Sequence, residues 1–298
     1  MLVSSMRTPG VTHIAITDAR YPERLRHISN PPRSLYCRGN TSLLASDACI
    51  GVVGSRIPTA YGKDVTHTIT TALAHAGAVI VSGLALGIDG IAHRAALLAH
   101  AHTIAVVGSG IHESVLYPQS HCSLAREIVA ADGLILSEYE PTTPARDYMF
   151  PDRNRIISGL SRGVIVTEAN EKSGALITAR CAVEQDRDVF AVPGSILSPR
   201  SAGPNRLIRD GATPIMGAED VIHAYSDIFS LQPSRQARIK DKLQQRIVAE
   251  LATHGPQHID HLARTLTASP SDLFVALTHL ALAKHIIQSA PDTWRIIS

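Results

Sequence analysis

The sequence is poor in aromatic residues, in cysteine and in net charge. Only 4% of its 298 residues are Phe, Trp or Tyr, so its core must be mainly aliphatic. Cys37, Cys49, Cys122 and Cys181 form no C-x-x-C pair, which argues against structural zinc and against a disulfide framework. Buried, reduced thiols are expected instead. The formal charge of +2 permits a nucleic-acid partner only through a local basic surface.

Long hydrophobic runs are also missing. No apolar stretch approaches the roughly 18 residues that a membrane-spanning helix needs. The N-terminus has no basic head followed by a long apolar segment, so no signal peptide is predicted. We therefore expect a soluble, cytoplasmic protein without a membrane partner. The length suffices for one large domain and a small one, and 45% hydrophobic residues are typical of a globular chain.

Short apolar runs alternate with helix-like segments from residue 48 to residue 225. The predicted strands are 49–54, 78–83, 103–108, 133–138, 163–169, 188–194 and 212–216. The predicted helices include 62–76, 88–100, 120–130 and 173–187. Apolar strands separated by helices are typical of a mostly parallel sheet buried on both faces. With right-handed crossovers, residues 48–225 form a doubly wound, Rossmann-like α/β domain, whose ligands bind beyond the carboxyl ends of the strands.

The two ends of the chain differ from this region. Residues 1–47 are interpreted as an N-terminal lead-in segment, and 28–40 as a loop because of two adjacent prolines and a Gly-Asn turn. Residues 226–240 read as a polar linker. Residues 241–298 predict three helices and a β-hairpin, the pattern of a small winged-helix domain. Its stretch 271–284 is nearly all apolar on one side, which favours protein contact or packing over the reading of duplex DNA.

The first strand of the Rossmann-like region ends in Gly54-Ser55-Arg56, ahead of a helix that begins near Gly62. Outward-pointing backbone N–H groups, a helix dipole, the Ser55 hydroxyl and the Arg56 guanidinium would together form a phosphate cradle. An ordinary strand–helix turn with an exposed arginine fits these residues equally well. The loop alone leaves both interpretations open.

Other loops at predicted strand ends carry glycines, hydroxyls and cations. On the predicted helix at 150–163, Arg153 and Arg155 are two residues apart and do not share a face, so one can reach a ligand while the other pairs internally. The remaining polar and glycine positions at these strand ends are Gly83, Gly87, Gly108, Lys172, Ser173, Gly174, Arg200, Asn205 and Arg206.

Features that would indicate catalysis or a cofactor are weak. Carboxylates are scarce at these loops, and Glu168, near a strand end, is expected to be structural. A G-x-S-x-G string at 159–163 has a helix before it and a strand after it, the reverse of a nucleophile elbow. His254, His258 and His261 lack the spacing and partners of a metal site. No dinucleotide fingerprint or Walker A string occurs, so we predict no catalytic residue, no metal and no cofactor.

Six motifs then follow one another in order along the chain. They are GSRIPTAYG (54–62), SGLALGIDGIAH (82–93), FPDRNRIISGLS (150–161), SGALITA (173–179), VFAVPG (189–194) and GPNRLIRDGA (203–212). Together, over residues 20–225, they resemble the DprA/Smf family of DNA-processing proteins. The C-terminal part resembles the winged-helix domain that many members carry.

The resemblance implies a domain that binds single-stranded DNA without sequence preference, forms a homodimer and loads RecA onto DNA taken up in natural transformation. No catalysis is attributed to the family. Arg56, with Gly54 and Ser55, would hold a backbone phosphate, and Phe150 or Tyr117 would either stack on a base or pack internally. The candidate DNA-binding residues are Gly54, Ser55, Arg56, Gly83, Gly87, Gly108, His121, Phe150, Arg153, Asn154, Arg155, Lys172, Ser173, Gly174 and Asn205.

The chain departs from the family pattern at two loops. Leu86 stands where the family loop usually has arginine. The loop at 108–121 is longer, with His112, and it continues with Gln119, Ser120 and His121 after Tyr-Pro, where the family usually has a lysine. We therefore expect one phosphate-binding cation to be missing, and DNA affinity to be lower or more dependent on pH through His121.

Two other functions are compatible with parts of the sequence. A nucleotide-cleaving phosphoribohydrolase shares a Gly-rich sheet edge, but it needs the string P-G-G-x-G-T-x-x-E, which does not occur here. A DNA-independent adaptor would bind a protein through its winged helix. Salt-dependent binding of single-stranded DNA that is lost in Arg56→Ala separates the DNA-binding hypothesis from both.

Overall fold

The computed structural model describes residues 10–229, 241–282 and 285–296. The chain divides into two compact units, Met1–Gln232 and Pro233–Ser298. This division falls inside the predicted linker, whose residues 230–240 lie outside the described ranges. The residue numbers given above for the domain boundaries remain predictions.

The first unit is built on one nine-stranded sheet with the order β1-β2-β6-β5-β4-β3-β7-β8-β9. Seven of its strands are parallel: β3 (Cys49–Val53), β4 (Val79–Ser82), β5 (Thr103–Val106), β6 (Leu134–Ser137), β7 (Gly163–Val166), β8 (Asp188–Ala191) and β9 (Thr213–Pro214). From β3 the chain adds strands outward to β6, then returns to place β7 on the other side of β3. The strand order therefore reverses between β3 and β7, as a doubly wound sheet requires, and the predicted fold class is confirmed.

Helices cover both faces of this sheet. They are α2 (Ala60–His75), α3 (Ile88–Leu98), α4 (Cys122–Ala130), α5 (Met149–Leu160), α6 (Gly174–Glu184), α7 (Ala202–Arg209) and α8 (Ala218–Ala224). On β3, Ile50 and Val52 pack into the cluster formed with α2 and α3, whereas Cys49 and Val53 pack into the cluster formed with α5 and α6. Burial on both faces explains why these strands are continuously apolar.

The N-terminal segment contributes strands that the sequence interpretation missed. β1 (Thr12–Ala15) pairs antiparallel with β2 (Ser34–Gly39), which pairs antiparallel with β6, and the short helix α1 (Glu23–Arg26) connects them. The prediction of a loop over 28–40 is therefore wrong for its second half. Leu35 and Cys37 are buried while their neighbours are only partly covered, which is the period-two pattern of a strand with one buried face.

The second unit has three helices, α9 (Lys242–His254), α10 (Ile259–Leu266) and α11 (Pro270–Leu282). Its three strands are β10 (Gln257–His258), β11 (Ile286–Ala290) and β12 (Thr293–Ile296). Ile247, Leu251, Leu262 and Leu277 form a separate core. The predicted winged helix is confirmed. Lys284, at the end of the stretch singled out in the sequence, lies outside the described residues.

Two further expectations bear on the chain as a whole. Among the helices that the structure describes, none is long and apolar enough to cross a membrane. Cys37, Cys49 and Cys122 are buried, Cys181 is half-buried, and all four are free thiols. Burial raises the pKa of the Cys37 and Cys49 thiols to about 12, which keeps them protonated.

Candidate nucleic-acid interface

A cleft of about 700 Å³ opens beyond the carboxyl ends of β3 and β7, where the strand order reverses. Its walls are the loop after β3, the first turns of α5 and α6, and the loops after β7 and β8. A crevice forms at this point because the two adjacent loops leave in opposite directions, and this is where open α/β sheets bind ligands.

Arg56 stands at the end of the cleft beside two aromatic rings. Its guanidinium carbon lies 5.7 Å from the centroid of the Phe150 ring. The ring centroids of Phe150 and Tyr117 are 5.3 Å apart, and Tyr117 is 50% exposed. The three side chains thus combine a permanent positive charge with one exposed and one partly buried aromatic ring, which suits a phosphate and an adjoining base.

The turn that carries Arg56 is fixed by hydrogen bonds from both sides. The Ser55 backbone N–H donates to the Glu168 carbonyl at 2.6 Å, and the Ile88 N–H donates to the Ser55 carbonyl at 3.1 Å. The Glu168 carboxylate accepts the Thr59 N–H at 2.9 Å, and Thr59 caps α2. Arg56 is therefore presented by a rigid turn, and Glu168 has the structural role that the sequence suggested.

The N-terminus of α6 forms the opposite wall. Ser173 caps this helix by accepting the Ala175 N–H at 3.3 Å, and Asn154 Nδ2 donates to the Gly174 carbonyl at 3.2 Å. A side chain added at Gly174 would meet open space, so the backbone here faces the cleft freely. Lys172, exposed just before the cap, adds its charge to the positive end of the helix dipole.

The floor of the cleft holds a buried pair of opposite charges. Arg153 is 4% exposed and donates from Nη1 to the Val106 carbonyl at 2.6 Å, and its Nε has no partner among the described residues. Asp89 accepts the Gly83 N–H at 3.1 Å. Burial raises the pKa of Asp89 and lowers that of Arg153, and each charge partly offsets that cost for the other. The Arg153 guanidinium occupies the space that a side chain at Gly83 would need.

The structure thus brings ten of the predicted residues to the cleft or to the small pocket that adjoins it. They are Gly54, Ser55, Arg56, Gly83, Phe150, Arg153, Asn154, Lys172, Ser173 and Gly174. Leu86, at the position where the family usually has arginine, borders the adjoining pocket and is exposed there.

Three other predicted residues are placed outside the cleft lining and are engaged elsewhere. Arg155 points away from the cleft and pairs with Glu138 at 2.8 Å, because it lies on a different face of α5 from Arg153. His121 is buried, with Nδ1 2.9 Å from the Leu84 carbonyl oxygen, which does not fit the expected phosphate contact. The Asn205 amide forms hydrogen bonds with both the N–H and the carbonyl of Gly194.

Gly87 and Gly108 lie behind the site. A side chain at Gly87 would meet the Ser55 carbonyl, and one at Gly108 would meet the Phe150 ring. Because neither glycine has a side chain, Ser55 and Phe150 can lie where they do in the cleft. Neither glycine lines the cleft itself.

Three charged cleft residues were not among the candidates: Asp89, described above, Arg200 and Asp147. Arg200 lines the cleft from the loop after β8, and Asp147 is an exposed carboxylate beside α5. With them, the lining carries the cations Arg56, Arg153, Lys172 and Arg200 against the carboxylates Asp89 and Asp147. The signal for Arg200 was its place after a strand end, as for Arg56.

The serine of the G-x-S-x-G string has a structural contact. Ser161 is buried at the C-terminal end of α5 and donates to the Ile157 carbonyl at 2.8 Å. A helix precedes it and β7 follows it, so its surroundings are those expected of a chance match.

Comparison with known proteins gives two matching family models. The model described as DNA recombination-mediator protein A matches residues 12–226, and that of the DprA winged helix domain matches residues 232–290. The chain is 46% identical over 220 residues to DNA processing protein DprA of Bacillus subtilis, covering 74% of this chain and 73% of that protein. It is 43% identical over 211 residues to Protein Smf of Escherichia coli, covering 70% of this chain and 56% of that protein.

Two solved structures are similar to this chain over about three quarters of its length. The X-ray structure of DNA processing protein A from Streptococcus pneumoniae superposes with a TM-score of 0.68 at 42% identity, covering 74% of this chain and 75% of that one. DNA processing protein A from Helicobacter pylori, studied for its unique single-stranded DNA binding mode, gives a TM-score of 0.65 at 33% identity, covering 74% of this chain and 97% of that one.

Proposed function

This chain belongs to the DprA/Smf family of DNA-processing proteins, and we propose that it binds single-stranded DNA in the cleft without sequence preference. One observation carries the proposal. Arg56, Lys172 and Arg200 line one cleft together with the exposed ring of Tyr117 and the partly buried ring of Phe150, and in the part of the chain that the structure describes none of the three cations makes an ion pair. By contrast, Arg155 and Arg209, outside the cleft, pair with Glu138 and Asp210.

The geometry suits a backbone with bases attached. Arg56 at one wall and Lys172 and the α6 N-terminus at the other would each hold a phosphate. Tyr117 and Phe150 would stack on a base, as aromatic side chains do in proteins that bind single strands. Phosphate contacts and stacking carry no sequence information, because every base has a π-face and every nucleotide a phosphate. Non-specific binding follows from these two contacts.

We further propose that the protein is a recombination mediator that acts as a cytoplasmic homodimer, loads RecA onto incoming DNA and catalyses no reaction. Membership of the family supports this. The two acids of the cleft lining also support it, since Asp89 is occupied by backbone amides and Asp147 lies exposed to solvent. RecA-dependent ATP hydrolysis on DNA coated with single-strand-binding protein measures the loading step, and it should begin sooner when the protein is added.

Fluorescence anisotropy of a labelled oligo-dT across a salt series tests the binding site. Arg56→Ala should weaken binding about tenfold, because one charge-assisted phosphate contact is lost. The slope of log K against log salt should become shallower by about 0.7, the value for one phosphate on a single strand. Arg126→Ala is the matched control, since Arg126 is exposed on α4, outside the cleft lining, and pairs with Glu113.

Two results would count against this function. One is a wild-type protein that does not bind oligo-dT even at about 50 mM salt, where phosphate contacts are strongest. The other is an equal effect of Arg56→Ala and Arg126→Ala. Release of a free base from a nucleoside monophosphate, followed by chromatography, would instead support the phosphoribohydrolase alternative.

A further inference from the structure

Two adjacent aliphatic side chains are almost fully exposed in the loop between β8 and α7. Ile196 is 91% and Leu197 88% exposed. Single exposed hydrophobic residues are ordinary on protein surfaces, but an exposed pair on a short loop presents a contiguous apolar surface to water. We call these two residues the 196–197 patch.

Hydrogen bonds hold the backbone of the loop that carries the patch. The Asn205 amide accepts the Gly194 N–H at 3.2 Å and donates to the Gly194 carbonyl at 2.9 Å. Ser195 Oγ accepts the Leu197 N–H at 3.2 Å, and the Ser195 carbonyl accepts the Ser198 N–H at 3.0 Å. The backbone is therefore held in one conformation, with the two side chains directed away from the core.

The same loop joins the patch to the cleft. Arg200 lines the cleft, and its carbonyl accepts the Ala169 N–H at 2.8 Å, which fixes it beside the loop after β7. Three residues span at most about 11 Å, so the patch lies within reach of a nucleotide whose phosphate contacts Arg200. A cation followed by an apolar surface matches the alternation of phosphate and base along a single strand.

We propose that a single strand bound in the cleft leaves it past Arg200 and places its next base or bases on the 196–197 patch. The inference rests on the proposed function and extends that site beyond the cleft. The bound group is a nucleobase of any kind, because aliphatic side chains contact the face of a base and do not read its edge. In this arrangement Asn205 acts as a positioning residue that holds the loop.

The test compares two lengths of oligo-dT with the double variant Ile196→Ser/Leu197→Ser. A strand of about 4 nucleotides, the small end of known single-strand site sizes, should bind the wild type and the variant equally. A strand of about 16 nucleotides should bind the variant about tenfold more weakly, which corresponds to the loss of one base contact. Leu98→Ser is the control, because Leu98 is 70% exposed at the end of α3 and lies outside the cleft lining.

Abasic strands separate base contact from phosphate contact. In strands of the longer length, abasic sites replace all but about 4 thymidines at one end, with both polarities made. With the polarity that places the abasic sites on the patch, the wild type should bind the abasic strand as weakly as the double variant binds oligo-dT of the same length. The double variant should bind the abasic strand and that oligo-dT with equal affinity. Arg200→Ala should also weaken binding of the abasic strand, because that strand keeps its phosphates.

The possible failures are distinguishable. If the double variant binds both lengths of dT like the wild type, or loses affinity equally for both, this inference is overturned while the cleft remains a binding site. If the double variant changes the molar mass in light scattering, the patch belongs to an interface between copies and the inference is again overturned. A wild type that binds neither length overturns the proposed function together with this extension.

Discussion

Burial of a single histidine should make the stability of the first unit depend on pH. His93 is fully buried in α3, with Nδ1 2.7 Å from Thr103 Oγ1. The Thr103 hydroxyl donates to the Ile80 carbonyl, so His93 Nδ1–H must be the donor to Thr103. Nε2 has no partner among the described residues. Burial, followed by electrostatic interactions with His121, Arg153 and Arg94, lowers the pKa of His93 to about 3.

The unfolded chain takes up this proton near pH 6.5, whereas the folded chain does so only near pH 3. The stabilisation is therefore complete above pH 6.5 and is lost as the pH falls from 6.5 towards 3. At pH 5 the loss should be about 2 kcal/mol. Urea unfolding at pH 7 and pH 5 should show this extra loss in the wild type and in His102→Asn, whose side chain is exposed, but not in His93→Asn. An equal pH dependence in all three proteins would contradict it.

The side chains of α5 show why the site could be predicted only in part. Arg56 and Lys172 lie in loops that follow strands, and a parallel sheet gathers such positions at one edge. Arg153 and Arg155 could not be distinguished, because spacing shows that they lie on different faces but not which face meets the cleft. Arg200 lies in a loop without any periodicity, so nothing in the sequence determines where its side chain points.

At the scale of elements, the central strands were predictable and the edge of the sheet was not. β3 to β8 are buried on both faces, apart from the exposed Asp188 that begins β8, and are mostly apolar, which makes them recognisable even in a single sequence. β2 has only the alternation of Leu35 and Cys37, and the adjacent prolines and the Gly39-Asn40 turn outweighed it in the sequence interpretation. Its pairing with β6 depends on contacts that are distant in the chain, which local patterns do not contain.

That pairing makes Gly39 a sensitive position. Gly39 has a φ of +112°, and a Cβ placed on it would lie 2.1 Å from the Gly133 carbonyl oxygen beside β6. Gly39→Ala should therefore destabilise the first unit by about 3 kcal/mol or more, through backbone strain and the separation of β2 from β6. Gly77→Ala is the control, because Gly77 has a φ of +96° but open space around its Cβ position. Gly77→Ala should lower the free energy of unfolding by only about 1 kcal/mol.

Urea unfolding of the two variants measures the difference directly. The loss in the free energy of unfolding in Gly39→Ala, minus the loss in Gly77→Ala, gives the cost of the close approach between the strands. The subtraction removes the cost of the left-handed conformation, which both variants share. Equal destabilisation would mean that β2 shifts to accommodate the methyl group and that the edge of the sheet is less fixed than its hydrogen bonds indicate.

At the scale of the whole molecule, we expect the two units to contribute unequally to the proposed DNA binding. The cleft lies within the first unit, which has its own hydrophobic clusters. Residues 241–298 carry five cations, Lys242, Arg246, Arg264, Lys284 and Arg295, against five acids, Asp241, Glu250, Asp260, Asp272 and Asp292, so their net charge is zero. On α11, Phe274 and Val275 are exposed, whereas a helix that recognises duplex DNA would present polar side chains.

A chain that ends at Lys240 should therefore fold and bind oligo-dT like the full chain. This cut keeps the cations Arg235, Arg238 and Lys240, which a cut at the boundary of the units would remove. Its affinity should stay within about twofold of the full chain, and its salt slope should be unchanged, because no phosphate contact is lost. Anisotropy measures both quantities, and Arg56→Ala in the short chain should reproduce its effect in the long one. A loss of about tenfold, with a shallower salt slope, would instead place one or more phosphate contacts on the winged-helix unit despite its neutral charge.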